Sequence, residues 1–365
     1  MARVGLQFRR TRANLNSFPP WKRFHEGVSD GMATIKDVAA RAGVSLGTAS
    51  RVLSGSPQTT VDSRTRVLAA ASELGYVAHG PARSLRRSRT DVLGLLVSDI
   101  RSPFFSELAH AAEDEARRHG YTVLLANADE DAEQAESVLA AFASQRIDGL
   151  LLSPQGPVTP KLASLVASRL PIVLLNRTVE GLDLPMYGTD NAAGVASVLS
   201  WLQRRGHREV AYVGGPESIS TGAERRAAYL AGRAAHGIST DDALIDAGDF
   251  LAEGAADAML RILDRGTHPT AVFGANGRTT LGAMRALRAR LGTEGASRVE
   301  IVSFDDLEWF DFATPPISAV RNDAAAIGTA GVRGILDLIA GREAGSLRIP
   351  TSFVDRSETA GAVIR

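Results

Sequence analysis

Residues 44–55, VSLGTASRVLSG, concentrate side chains that can hydrogen-bond to a nucleic acid. Ser45, Thr48 and Ser50 carry short hydroxyls of the kind that reach phosphate oxygens at the wall of a DNA groove. Arg51 can present two donors to guanine O6 and N7, a contact worth about 1–3 kcal/mol of discrimination between bases. The alternative is that Arg51 only solvates the outer face of a helix. The segment therefore offers DNA recognition if a helix projects it from the surface.

The distribution of charge separates a basic part of the chain from an acidic one. The 365 residues hold 41 basic and 41 acidic side chains, so the net charge is zero. Residues 1–90 hold 15 basic and 5 acidic side chains, a net charge of +10, and the remainder carries −10. A basic head on an acidic body suits the binding of a polyanion. A solvated basic face remains the alternative.

Several classes of chemistry lack the residues that they require. The chain has no cysteine, which excludes disulfides, thiolate zinc sites and cysteine nucleophiles. It also has no G-x-G-x-x-G after the first apolar run of the core, no Walker loop, no H-E-x-x-H and no G-x-S-x-G, and its seven histidines are scattered. We expect a protein that is not an enzyme, with no catalytic residue, metal or cofactor.

Three short helices can be drawn in the basic part of the chain. Thr34 is a plausible N-cap for the first, and Gly43 allows the left-handed turn that ends it. Ser45 is the expected N-cap of the second helix, LGTASRVL, and Asp62 that of the third. Residues 32–78 are therefore predicted to form a small all-α domain.

The first 31 residues show no helical or strand period and include a Pro-Pro pair, so we expect a disordered extension. Met32 opens the regular pattern MATIKDVAARAG, and we hypothesise that translation starts there. No apolar run approaches the roughly 20 residues of a membrane-spanning helix, and no signal peptide is recognisable. These features predict a cytoplasmic protein without a membrane partner.

Beyond Asp91, apolar runs alternate with amphipathic helices. The runs include VLGLLVS, YTVLLAN and PIVLLN, and the same rhythm returns in EVAYVGG, TAVFGAN and VEIVSFDD. Near-continuous aliphatic strands separated by helices predict parallel sheets covered on both faces. We expect an α/β core of two doubly wound subdomains with a ligand crevice at the carboxyl ends of their strands. The N-subdomain is predicted at 91–189 plus 322–342, and the C-subdomain at 190–318 plus 343–365.

The segment TIKDVAARAGVSLGTASRVLSG resembles the opening of the LacI/GalR family of bacterial transcription regulators, roughly T-[IL]-x-D-V-A-x-x-A-G-V-S-x-x-T-V-S-R-V-[LI]-N. The likeness runs from about residue 33 to the C-terminus and is most specific at 34–53 and 74–85. It implies a helix-turn-helix head on a core similar to periplasmic sugar-binding proteins. The expected function is a homodimeric repressor that binds a palindromic operator in double-stranded DNA under the control of a small-molecule effector.

Within this resemblance the second helix enters the major groove with its N-terminal residues facing the bases. Leu46 and Gly47 occupy those positions, where the family varies its residues, and neither brings a hydrogen-bonding side chain. Leu46 can touch a thymine methyl or pack on the first helix, and Gly47 can let the backbone approach closely. The predicted DNA-binding residues of the head are Ser45, Leu46, Gly47, Thr48, Ser50 and Arg51.

Residues 79–90, HGPARSLRRSRT, correspond to the family's hinge. The resemblance implies that this segment forms a short helix when two protomers bind DNA together. Leu85 matches the family's minor-groove wedge, and Arg83 and Arg86 flank it; apolar wedges of this kind unstack and kink a base step. The alternative is a plain linker that carries one incidental leucine.

The family likeness also implies an effector site in the crevice. Arg225 with Asp305 is the central expected pair, because a buried charged donor and acceptor can satisfy vicinal hydroxyls. The alternative is a structural salt bridge that braces the crevice. The full set of expected effector-binding residues is Phe104, Phe105, Thr221, Arg225, Phe250, Asn276, Asp305 and Asn322.

Several functions remain open at this stage. The effector is expected to be a sugar or sugar derivative, although purine-binding members of the family share the scaffold. Control by a phosphoprotein partner, as in catabolite-type regulators, is an alternative to control by a small molecule. A sugar-binding protein without a DNA function is a further alternative, against which the basic head argues.

Overall fold

The computed structural model describes residues 33–54, 56, 58–76 and 89–357. The chain divides into two compact units, residues 1–86 and 87–365, which are called the head and the core below. The predictions for the extension 1–31 and for the hinge residues Arg83, Leu85 and Arg86 lie outside the described residues.

The head contains three helices, α1 (Ile35–Ala42), α2 (Leu46–Leu53) and α3 (Val61–Glu73). Thr34 caps α1 as predicted, in a capping box in which the Asp37 carboxylate accepts a bond from the Thr34 N–H at 2.8 Å. Gly43 ends α1 with φ 64°, a left-handed conformation that suits glycine. The Ser45 hydroxyl accepts a bond from the Thr48 N–H at 3.2 Å and caps α2.

The predicted cap of the third helix at Asp62 is wrong. Thr60 is the N-cap, and its hydroxyl oxygen accepts a bond from the Ser63 N–H at 3.2 Å. Asp62 instead lies in the first turn of α3, where a carboxylate interacts favourably with the helix dipole. Both residues are common near helix starts, so their types alone do not separate cap from first turn.

The core of the head is built from small residues. Its fully buried side chains are Val38, Ala39, Ala42, Ala49, Val52, Val67, Ala70 and Ala71. Two of them, Ala49 and Val52, belong to α2 and hold one face of that helix against its neighbours. The opposite face of α2 is thereby turned to solvent.

The N-subdomain of the core is a six-stranded sheet in the order β11-β5-β4-β3-β1-β2. All of its strand pairs are parallel. The strands are β1 (Val92–Val97), β2 (Thr122–Asn127), β3 (Gly149–Leu152), β4 (Ile172–Leu175), β5 (Met186–Thr189) and β11 (Leu347–Ile349). The helices around it are α4 (Pro103–Arg118), α5 (Ala132–Ser144), α6 (Pro160–Ala167) and α11 (Ala324–Ile339).

The C-subdomain repeats this design with the order β12-β10-β9-β8-β6-β7. Its strand pairs are parallel except that β12 runs antiparallel to β10. The strands are β6 (Val210–Gly214), β7 (Ile245–Ala247), β8 (Ala271–Gly274), β9 (Glu300–Phe304), β10 (Ser318–Arg321) and β12 (Ser352–Val354). The helices are α7 (Asn191–Arg204), α8 (Ser220–Arg233), α9 (Ala252–Asp264) and α10 (Gly277–Ala296).

Both faces of the N-subdomain sheet are buried, as the aliphatic strands predict. On β1, Leu95 and Val97 pack with Leu108 of α4, whereas Leu96 packs on the other side with Leu139 of α5. This alternation follows from the two-residue period of a strand. The predicted doubly wound parallel architecture is confirmed.

The chain passes between the subdomains three times, after β5, after β10 and between β11 and β12. The last passage differs from the expected boundary at residue 343, because β11 pairs with β5 of the N-subdomain sheet at Leu347 and Tyr187. β11 has only three residues and a largely exposed surface, so no aliphatic run marks it in the sequence. The C-subdomain therefore resumes only after Ile349.

Candidate functional site

The face of α2 that the head core leaves free carries the predicted DNA-binding side chains. Ser45, Leu46, Gly47 and Arg51 are all exposed. The Leu46 side chain is 46% exposed, which favours its availability to a thymine methyl over packing on α1. The helix therefore presents a surface of small and apolar groups with one long cationic side chain.

Arg51 is the strongest base-reading candidate on this face. Its Nε donates to the Gly47 carbonyl oxygen at 3.2 Å, and its terminal nitrogens make no hydrogen bond within the described part of the chain. Two other head arginines are neutralised, Arg41 by Glu73 at 2.6 Å and Arg66 by Asp62 at 3.0 Å. No described carboxylate pairs with Arg51, so its charge is available to a polyanion.

In the core, the strands of both subdomains end at a shared crevice. Arg225 of α8 lies on its C-subdomain wall and is only 3% exposed. Its Nε donates to Asn191 Oδ1 at 2.8 Å, its Nη1 donates to the Ala275 carbonyl oxygen at 2.5 Å, and its guanidinium lies 3.7 Å from the centre of the Phe304 ring. Burial lowers the pKa of Arg225, because a desolvated cation is costly.

Asp305 follows β9 and is likewise buried, at 6% exposure. Its φ of 75° places it in the left-handed region, an uncommon conformation for a non-glycine residue that is often found at functional sites. The carboxylate accepts bonds from the Gly277 N–H and the Asn322 Nδ2, both at 3.1 Å. Burial raises the pKa of Asp305, and the nearby Arg225 opposes that rise.

Arg225 and Asp305 do not form a direct ion pair within the described residues. Each interacts with the charge of the other at longer range, since Arg225 stabilises the ionised form of Asp305 and Asp305 that of Arg225. The expected alternative of a salt bridge that closes the crevice therefore has no contact to support it. Because buried charges are costly unless a partner satisfies them, both groups are candidates for binding a ligand.

The predicted aromatic residues meet at a second arginine. The Arg177 guanidinium lies 5.8 Å from the ring centre of Phe105 and 5.4 Å from that of Phe250. Phe105 comes from the N-subdomain and Phe250 from the C-subdomain, so this stack spans the crevice. Arg177 also donates from Nη1 and Nη2 to the two carboxylate oxygens of Glu130, both at 2.7 Å.

Comparison with known proteins decides the family. Residues 90–357 match the family described as periplasmic binding proteins and sugar binding domain of LacI family, and residues 34–79 match the bacterial regulatory proteins of the lacI family. The chain belongs to the LacI family. This LacI-family chain is 32% identical to the HTH-type transcriptional repressor CytR of Escherichia coli (strain K12) over 316 residues, 86% of its own length and 92% of the relative's.

Solved structures agree with this assignment. A putative ribose operon repressor from Burkholderia thailandensis has a TM-score of 0.67 at 34% identity, covering 73% of this chain and 99% of the other. The lac repressor dimer bound to operator and the anti-inducer ONPF has a TM-score of 0.74 at 25% identity, covering 89% of this chain and 98% of the other. As a LacI-family member, the chain is a DNA-binding transcriptional regulator controlled by a small-molecule effector.

The remaining predicted effector residues of this LacI-family core differ in their surroundings. Phe104 shares a pocket of about 830 Å³ with Asp305 and Asn322. Thr221 is buried, at 2% exposure. The Asn276 side chain is committed locally, because its Oδ1 accepts a bond from the Thr279 N–H at 2.6 Å and caps α10. Capping thus uses one of the two acceptor sites of the Asn276 oxygen.

Sequence reasoning missed Arg177, Glu130 and Asn191. The signal for Arg177 was its place in NRT directly after the aliphatic strand PIVLL, at the crevice end of β4. Asn191 is 2% exposed and connects the crevice to the subdomain passage, because its Nδ2 donates to Glu224 at 2.7 Å while its Oδ1 accepts from Arg225. Glu224 in turn accepts two bonds, at 2.9 and 3.0 Å, from Arg348 of β11 in the N-subdomain.

Other contacts cross the crevice directly. The Thr178 N–H donates to the Ser220 hydroxyl at 2.9 Å. Arg278 of α10 faces Asp99, which follows β1, with 3.9 Å between Nε and Oδ2. Both of these atoms are buried and have no hydrogen-bond partner among the described residues, so a small relative movement of the subdomains would make or break their pairing.

None of the helices in the described ranges is long and apolar enough to cross a membrane.

Proposed function

We propose that this LacI-family regulator is a non-enzymatic, homodimeric repressor whose affinity for its operator is set by a sugar or sugar derivative bound between the core subdomains. The observation that carries the effector part is the separated, buried pair Arg225 and Asp305 at the crevice. The exposed Arg51 on α2 supports the DNA-binding part. The lac repressor, a dimer on its operator in the similar structure, supports the dimeric state.

Two further assignments complete the proposal. Ser45, Thr48 and Ser50 are assigned to phosphate contacts, which position a recognition helix without reading sequence. The hinge with Arg83, Leu85 and Arg86 is assigned to the minor groove on the family likeness alone. Specificity would then come from Arg51 in the major groove and from the deformability of the central base step.

Effector control would act through closure of the core. A ligand shifts a conformational equilibrium only if it binds one state more tightly than the other. A bound sugar would place its hydroxyls on Arg225 and Asp305 of the C-subdomain and its ring on the aromatic residues of the N-subdomain. Such a ligand favours the closed crevice, because only that state offers both sets of contacts.

The effector site is tested by Asp305→Asn in the full chain. A thermal-shift screen of monosaccharides identifies the sugar that raises the melting temperature most, and calorimetry measures its Kd. We expect Asp305→Asn to raise the Kd of that sugar by about tenfold or more, since a charged acceptor for hydroxyls is lost.

The matched control for this substitution is Glu294→Gln, which removes an exposed carboxylate near the C-terminal end of α10, remote in sequence from the crevice residues. It should bind like the wild type. Full sugar affinity in Asp305→Asn, with an unchanged melting temperature of the free protein, would remove Asp305 from the site.

A further inference from the structure

We infer that the effector is an uncharged polyhydroxylated ring and that Glu130 enforces this choice by neutralising the crevice arginine Arg177. The inference rests on the proposed function, because it concerns the ligand of the same crevice. It excludes phosphate esters and sugar acids as the preferred ligands.

The first observation is the closeness and burial of the Arg177–Glu130 pair. The Arg177 side chain is 3% exposed and the Glu130 side chain 8%. Two parallel bonds of 2.7 Å join the guanidinium to the carboxylate, the bidentate geometry in which arginine binds a carboxylate most tightly. An anionic ligand would have to displace Glu130 from both bonds and leave that carboxylate buried beside it.

Glu130 is also held in place from its backbone. The Glu130 N–H donates to the Ser98 carbonyl oxygen at 3.0 Å, and its φ is 58°. Arg177 is fixed on the other side by Gln155, whose Oε1 accepts from Nη1 at 3.0 Å. The pair is therefore a built part of the crevice wall. Within the described residues, Nε is the one nitrogen of the Arg177 guanidinium without a hydrogen-bond partner.

The second observation is that other cations near the crevice also have carboxylates in their neighbourhood. Arg225 makes no direct ion pair with Asp305 within the described residues, but the two charges interact at longer range. Toward the outside, Arg101 pairs with Asp99 at 2.8 Å and with Asp129 at 3.1 Å. Arg278 likewise has Asp99 3.9 Å from its Nε. Each of these arginines therefore has a carboxylate in its vicinity, which reduces what an anionic ligand would gain by binding there.

The third observation is the sign of the pocket that contains Asp305 and Asn322. Its lining includes Glu107, Glu308 and Asp323 in addition to Asp305. The carboxylate of Asp306 is already paired with Arg321, at 2.7 Å. This excess of carboxylates repels a phosphate or a sugar acid, whereas hydroxyls can donate to carboxylates and accept from guanidinium groups.

The aromatic rings fit the same ligand. Phe105 and Phe250 approach the crevice from opposite subdomains on either side of Arg177. The apolar faces of a sugar ring pack on aromatic rings while its hydroxyl edge points to polar groups. An uncharged ring therefore suits both the aromatic and the polar groups named above.

The test measures the full chain against matched sets of ligands by calorimetry. Each set contains a neutral monosaccharide, its phosphate ester and its aldonic acid, for example D-ribose, D-ribose 5-phosphate and D-ribonate, or D-glucose, D-glucose 6-phosphate and D-gluconate. We expect a neutral sugar to bind the wild type at least about tenfold more tightly than its two anionic forms.

Glu130→Gln is the diagnostic variant, because it leaves Arg177 with an uncompensated charge. The anionic forms should gain at least about tenfold in affinity, while the neutral sugar changes little. Glu130→Asp, which keeps the charge, should retain the wild-type preference and shows whether the loop tolerates substitution. Glu133→Gln, at an exposed position of α5, is the control for a general loss of negative charge.

The outcomes separate the two proposals. Preference of the wild type for a phosphate ester or a sugar acid overturns the neutral-ligand inference and leaves a sugar-controlled regulator in place. Binding of no sugar of either charge contradicts the proposed effector class itself, and the inference falls with it. An unchanged preference in a folded Glu130→Gln variant removes Glu130 as the determinant.

Discussion

Arg51 and Arg225 illustrate how surroundings assign different tasks to the same side chain. Arg51 is exposed and no described carboxylate neutralises it. Dissolved salt is therefore the main factor that weakens its attraction to a polyanion. Arg225 is buried on the ring of Phe304 with two of its nitrogens bonded. The proposed tasks follow this difference, because Arg225 is held in a fixed orientation inside the core and Arg51 keeps its fork of donors accessible.

Substitution of Arg51 tests its role as a base reader. Arg51→Ala should weaken binding to the operator by about 1–3 kcal/mol, and Arg51→Lys should lose most of the base discrimination while it keeps the charge, because an ammonium lacks the fork of two donors. Fluorescence anisotropy at fixed salt measures both effects. The two DNA duplexes compared are an operator selected from a random DNA pool and a copy of it in which the guanines are replaced.

Arg41→Ala provides the matched control, since it removes an arginine of the head that is already paired with Glu73. Its effect on operator affinity should be small. Wild-type affinity and discrimination in Arg51→Ala would move base reading to other positions of the head or to the hinge.

Only part of the chemistry at this scale could be predicted from the sequence. Family motifs and strand ends mark Arg225, Asp305 and Asn322; the structure shows Asn322 bonded to Asp305, and the effector-binding role of the three residues stays a prediction. The Arg177–Glu130 pair joins residues 47 positions apart on different loops, and only the folded chain shows that they meet. Asn276 was assigned to the ligand, although its position before a helix also suits the cap that it forms.

At the scale of elements, strands and helices of the core follow from simple patterns. Aliphatic runs such as VLGLLV are buried on both faces, and the amphipathic segments between them cover the sheets. Elements that depend on tertiary contacts were missed or misplaced. β11 is stabilised by pairing with β5, and the start of α3 depends on whether Thr60 or Asp62 bonds the first free N–H groups.

One contact between elements of the N-subdomain predicts a dependence of stability on pH. Glu115 of α4 accepts bonds from Arg333 of α11 at 2.8 Å and from Arg118 at 2.9 Å, and its side chain is 4% exposed. The bond from Arg333 is the largest cause that lowers the pKa of Glu115 to about 2. Because the pKa is lowered in the folded state, the contact stabilises the fold fully at pH values above 4.5, the ordinary pKa of the group.

Glu115→Gln should therefore lower the free energy of unfolding at pH 7 by on the order of 1 kcal/mol, or the melting temperature by roughly 2–4 °C. The difference from the wild type should shrink as the pH falls from about 4.5 toward 2, because Glu115 becomes protonated over that range. Scanning calorimetry between pH 3 and pH 7 measures it. Glu113→Gln, an exposed neighbour on the same helix, should show a much smaller effect, and a constant difference at every pH would contradict the assignment.

At the scale of the molecule, the effector crevice and the passages between the subdomains are physically connected. Arg225 contacts Asn191, Asn191 contacts Glu224, and Glu224 pairs with Arg348 on the opposite subdomain. The facing pair of Asp99 and Arg278, 3.9 Å apart, lies across the same crevice. A ligand that changes subdomain closure must change these contacts.

The measurement that tests the central claim most directly is the coupling between effector and operator. Operator Kd is measured with and without the sugar found in the screen, and sugar Kd with and without the operator, all on the full chain. Coupling of about 1–3 kcal/mol corresponds to a change of roughly 5- to 150-fold, and the two ratios must be equal because linkage is reciprocal. Equal ratios in this range are the result we predict. An operator affinity that no crevice-bound sugar changes would contradict the account.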